Sequence, residues 1–89
     1  MKISFSQEVS EYLHTIEKRN PALFKKVYKQ LCIFQKNPKH PSLRTHKLGG
    51  ELSDSWSISV ERNIRMLYYL SGDKAVFYKI GTHDEVYRK

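Results

Sequence analysis

IRMLYYLSGDKAVFYKI, residues 64–80, holds two runs of strand-forming residues with a turn between them. Ile64 to Leu70 and Ala75 to Ile80 are rich in β-branched and aromatic side chains, and Ser71-Gly72-Asp73 is a hairpin turn. The pair therefore reads as an antiparallel hairpin. Moving towards the N-terminus, Glu61-Arg62-Asn63 turns the chain again. Trp56, Ile58 and Val60 alternate with Ser57 and Ser59, the period-two pattern of a half-buried strand. Arg44 to Leu48 reads as a further short strand, closed by a Gly49-Gly50 turn. Residues 37–44 carry Pro38 and Pro41 and read as a loop.

The first third of the chain has a different period. After a short strand at Met1 to Phe5, Ser6 is an N-cap, and Val9, Tyr12, Leu13 and Ile16 follow helical spacing to about Lys18. Asn20-Pro21 is a second helix start, a cap followed by proline at the first helical position. That helix places Leu23, Phe24, Val27, Leu31 and Phe34 on one stripe and ends at Asn37-Pro38. The element order β-αα-ββββ predicts one α+β domain over residues 1–89. Its two-helix hairpin packs on one face of a small antiparallel β-sheet and leaves the other face free.

The chain has 16 Lys and Arg against 9 Asp and Glu, a net charge of +7, and the excess is local. Between Lys18 and Lys47 lie nine basic residues and no acidic one, whereas 48–89 balances six against six. Concentrated positive charge steers polyphosphates and acidic proteins. A chain of 89 residues has little interior to spare for a deep pocket, so an open groove suited to a polymer is expected. The single cysteine, Cys32, sits among Leu31, Ile33 and Phe34, the setting of a buried hydrophobe. No apolar run approaches membrane-spanning length and no apolar signal core opens the chain, so a cytoplasmic protein is expected. The four histidines, His14, His40, His46 and His83, lack paired ligand spacing, and neither a metal site nor a cofactor is expected.

Four residues are candidates for chemistry. Arg65 falls within an apolar strand, on the face opposite Ile64 and Met66, where a guanidinium must meet solvent, a carboxylate or a ligand anion. His83 follows a strand beside Asp84 and Glu85, and His46 lies between Arg44 and Lys47 near a sheet edge. Imidazoles in such places serve proton transfer, although each also reads as an ordinary surface histidine. Tyr87 reads equally as a base-stacking ring, a polar acid or an anchor for the tail. Two imidazoles, an arginine, a lysine and an aromatic, all on the strand-rich half, suit RNA cleavage. One group deprotonates the 2′-hydroxyl, a cation steadies the phosphorane, and another group protonates the 5′-oxygen.

The stretches His46-Lys47-Leu48-Gly49-Gly50, Trp56-Ser57-Ile58 and Asn63-Ile64-Arg65-Met66-Leu67-Tyr68-Tyr69 resemble the RelE/ParE toxin superfamily. The tail Ile80-Gly81-Thr82-His83-Asp84-Glu85-Val86-Tyr87 looks like its closing motif in the YafQ-like form. The resemblance implies a toxin of a type II toxin–antitoxin system: a metal-independent endoribonuclease that cuts mRNA, in many relatives on the ribosome, and so inhibits translation. It implies an acidic antitoxin partner, with operator DNA met only through that antitoxin. By position, Arg65 corresponds to the phosphate-contacting arginine, His83 and His46 to active-site histidines, and Tyr87 to a C-terminal aromatic. Lys47 matches a basic residue of the RelE site, and Arg44, Lys25 and Lys29 join it as expected RNA contacts. Where the YafQ-like branch has a further histidine and acidic groups, this chain has Ser57, Ser59 and Asn63. Two other readings stand beside this one: a ParE-like DNA gyrase poison, and a catalytically weak homologue that acts as a binding module.

Overall fold

The computed structural model describes residues 1–87. Arg88 and Lys89, the end of the expected tail, lie outside the described residues. The elements are β1 (Lys2–Phe5), α1 (Gln7–Arg19), α2 (Pro21–Lys36), β2 (His46–Lys47), β3 (Ser55–Glu61), β4 (Ile64–Ser71), β5 (Lys74–Thr82) and α3 (His83–Tyr87). Single 3₁₀ turns occupy Pro41–Leu43 and Gly50–Leu52.

Both helix starts follow from their caps. Ser6 Oγ accepts from the Val9 amide and Asn20 Oδ1 from that of Leu23, each relieving a donor that the first turn leaves unpaired. Their apolar stripes meet the sheet. Val9, Ile16, Leu23, Val27 and Phe34 join Ile58, Val60, Met66, Tyr68, Phe77 and Ile80 in one buried cluster. Phe34 sets its edge against both Tyr68 and Phe77, with ring centroids 4.9 and 5.3 Å apart. No described helix is long and apolar enough to cross a membrane.

The sheet runs β1-β5-β4-β3-β2 and is mixed. Strands β2 to β5 form the expected antiparallel meander, but β1 pairs parallel to β5, with Lys2 opposite Lys74 and Phe5 opposite Phe77. The alternation of Ile3 and Phe5 fixes which face they bury and says nothing about strand direction. Direction comes from the chain turning straight into α1 after Ser6, whose amide and hydroxyl bond the Phe77 and Tyr78 carbonyls. The helical hairpin then serves as the start of a long crossover, the connection a parallel pair requires.

The sheet face away from the helices is also partly covered, contrary to expectation. Leu48, Leu67 and Val86 are buried there, flanked by Leu52, Tyr78 and Tyr87. The covering element is α3, where the sequence suggests only a loop. Thr82-His83-Asp84-Glu85 is a capping box: Glu85 Oε1 accepts the Thr82 amide at 2.7 Å and Thr82 Oγ1 accepts that of Glu85 at 3.3 Å. Gly81 makes room for it, because a Cβ at that position would lie 2.7 Å from Glu85 Oε1.

Candidate active site

Arg65 lies on β4 between Ser59 of β3 and Gly81 of β5. Its side chain is half-buried and reaches across β3. There Nε and Nη2 donate to Ser57 Oγ at 3.1 and 2.8 Å, and Nη2 also donates to the Arg44 carbonyl at 2.9 Å. Arg44 presents that carbonyl from a left-handed backbone, φ 46°, a conformation costing roughly 1–2 kcal/mol in a residue with a Cβ. All these acceptors are neutral. Among the described residues Arg65 makes no ion pair, and its Nη1 makes no hydrogen bond. The guanidinium is thus fixed in place with its charge uncompensated, as an anion site requires.

Ser57 is the hub of the arrangement. It is fully buried, and its hydroxyl also receives the Tyr87 phenol at 3.0 Å. Tyr87 in turn carries the His83 ring edge-on, with centroids 4.3 Å apart, one turn earlier on α3. A continuous chain of contacts therefore joins Arg65, Ser57, Tyr87 and His83 across the face that α3 covers. His83 itself is largely exposed, its side chain 76% accessible, and its Nδ1 lies 3.9 Å from Asp84 Oδ1 in a solvent-exposed pair. Arg65 and His83 line one open groove of about 450 Å³ together with Arg62, Asn63, Thr82 and Asp84. The Arg65 guanidinium and the His83 imidazole thus face the same space.

The other candidates are distributed unevenly. His46 pairs with Ser57 across β2 and β3, and antiparallel partners share a face, so it belongs to the Arg65 side of the sheet. Its exposed ring makes no hydrogen bond or ring contact among the described residues. Lys47 points the other way: it pairs with Trp56 and its ammonium sits 5.3 Å above the indole. Lys29 and Arg44 line a second cleft beside Arg65, whereas Lys25 lines neither groove. Trp56 stacks on Tyr68 and packs against the main core.

Three participants escape inspection of the sequence. Ser57 reads as a bare polar position of an alternating strand, and only the register of β3 against β4 sets it below the guanidinium. Arg62 reads as a hairpin residue, yet its proximity to Arg65 in sequence was a usable signal. Lys26 is one of several helical lysines until α2 is seen beside the end of β3.

A β-αα-ββββ chain whose helical hairpin covers a mixed sheet, closed by a short C-terminal helix, has the fold of the RelE/ParE-like toxins. No protein-family model matches the chain, and no curated protein matches it in sequence. Solved structures do. The chain is similar to a YoeB/ParE toxin from Agrobacterium tumefaciens at a TM-score of 0.81 and 15% identity, over 93% of this chain and 99% of the other. It is also similar to a chain of a heterotetrameric YoeB–YefM toxin–antitoxin complex from Staphylococcus aureus, at 0.79 and 18%, over 93% and 97%. A chain of the DinJ–YafQ complex from E. coli matches at 0.68 and 22%, over 97% of each. What the chain shares with these proteins is the fold along nearly its whole length.

Proposed function

We propose that this protein is the toxin of a type II toxin–antitoxin pair and a side-chain-driven endoribonuclease acting on mRNA, as the resemblance implies. The observation that carries the reading is the shared groove, in which the unpaired Arg65 guanidinium and the exposed His83 imidazole flank a space open to a polymer. In the reaction, a base removes the 2′-hydroxyl proton and that oxygen attacks phosphorus. The P–O5′ bond breaks to leave a 2′,3′-cyclic phosphate, and an acid protonates the departing 5′-oxygen. His83 takes one proton-transfer role. The other falls to His46 or to Tyr87, both on the Arg65 face. Arg65 steadies the charge that grows on the non-bridging oxygens, and a fixed donor at such a position is worth roughly 10²–10³ in rate.

The partner in this reading is an acidic antitoxin that neutralises the cationic face. Support for a protein partner comes from the solved neighbours, which include a YoeB–YefM toxin–antitoxin complex and a DinJ–YafQ complex. An apolar groove between β1 and the helical hairpin, where Phe5 and Tyr28 are 37% and 64% exposed, offers such a chain its apolar anchors. A cytoplasmic setting and action on the ribosome belong to the same proposal.

The test is induction without antitoxin, with RNA 5′ ends mapped for wild type and His83→Ala. Wild type should cut mRNA, and His83→Ala should lose about 10²–10⁴ of the cleavage rate while melting like wild type. A fully toxic His83→Ala would remove His83 from the chemistry. Intact mRNA with DNA damage would favour a gyrase poison instead.

A further inference from the structure

A second cleft, of about 600 Å³, opens on the other side of Arg65. Short β2 pairs only with Trp56 and Ser57, so among the described residues the outer edge of β3 from Ser59 onward has no strand beside it. α2 and the Pro41–Leu43 turn stand around that open edge. Buried Gln30 braces the floor, donating to the Ser59 carbonyl at 2.7 Å and the Ser42 carbonyl at 3.2 Å. The rim carries Lys26, Lys29, Arg44, Arg62 and Arg65, with Glu61 the one carboxylate among the described residues. Lys26 meets Glu61 at 3.2 Å. Lys29, Arg44, Arg62 and Arg65 make no ion pair among the described residues.

We propose that this cleft is a second phosphate-binding subsite, which holds the RNA backbone next to the phosphodiester seated between Arg65 and His83. The inference rests on the nuclease reading above and extends its substrate site. Two features support it. First, Arg62 and Arg65 line both spaces, so a strand can pass from one to the other over a continuous run of cations. Second, among the described residues the lining is polar and holds no aromatic residue, with Val60 its one apolar member. A protein partner takes its affinity from buried apolar anchors, which this cleft lacks, whereas a phosphate backbone needs unpaired cations and hydrogen-bond donors. Glu61 tempers the site by occupying Lys26.

The probe is a fluorescent 2′-O-methyl RNA hexamer, which lacks the free 2′-hydroxyl needed for cleavage, followed by anisotropy across a salt series. Losing one phosphate contact on a single strand lowers the slope of log K against log salt by about 0.7, which is roughly fivefold in affinity at 0.1 M. Lys29→Ala should show that loss. Glu61→Gln, which frees Lys26, should bind several-fold tighter with a steeper slope. Lys36→Ala, on the same helix outside the cleft, should bind like wild type, and a 2′-O-methyl dinucleotide should not distinguish Lys29→Ala from wild type. The subsite is refuted by unchanged hexamer binding in Lys29→Ala, by an equal loss in Lys36→Ala, or by no hexamer binding at all. Failure of the nuclease reading registers separately, as cleavable RNA left intact by a protein whose hexamer binding still responds to Lys29.

Discussion

Ser57→Ala removes one oxygen, and with it the acceptor of three hydrogen bonds. Arg65 Nη2 keeps its bond to the Arg44 carbonyl, but Nε and the Tyr87 phenol lose their only partner among the described residues. A bond to a charged donor is worth about 1.5–3 kcal/mol and a neutral one about 1. Both donors are half-buried and water can replace part of this, so the expected net loss is about 1–2 kcal/mol. For a domain of this size that lowers Tm by roughly 5–12 °C. The kinetic effect should be larger than the structural one, because a guanidinium displaced by about 1 Å costs up to ~10²-fold. Single-turnover cleavage of a labelled RNA should fall about 10- to 100-fold, chiefly in kcat. A double-mutant cycle with Tyr87→Phe isolates the Ser57–Tyr87 contact and should give a coupling near 1 kcal/mol. If Ser57→Ala melts and cleaves like wild type, or the two substitutions are strictly additive, Ser57 does not hold the site together.

Two further outcomes follow from the packing. Gly81→Ala puts a methyl group onto the Glu85 oxygen that caps α3, so about 1 kcal/mol of stability and over tenfold of cleavage should disappear together, read by melting and RNA assay; wild-type behaviour in both would mean that α3 does not need its cap. Burial raises the Tyr68 phenol above its usual 10.0, so the unfolded chain loses this proton first and stability falls as pH climbs past about 10. Tyr68→Phe should flatten that alkaline limb in denaturant titrations at pH 9 and 11, and an unchanged limb would assign it to other groups.

The strands and helices were legible because each side chain obeyed a local rule. Alternation at Trp56–Val60 and in the 64–80 hairpin marked the strands, while Ser6 and Asn20-Pro21 marked the helix starts. α3 was equally available in Thr82-His83-Asp84-Glu85, a capping-box spacing that reads as tail only because the helix it opens is so short. Arg65 and His83 could be singled out as chemically unusual for where they stand in the chain, and Arg44 and Lys29 as part of a local excess of cations.

By itself the sequence determined the main strands, the two long helices with their buried stripes and the uneven charge, since periodicity and capping act over a few neighbouring residues. Tertiary structure alone decided the parallel pairing of β1 with β5, the turning of Lys47 towards Trp56 and away from His46, and the meeting of Arg65, Tyr87 and Ser57 on one hydroxyl. Those outcomes depend on strand direction and register between segments up to 72 residues apart, which no local pattern encodes.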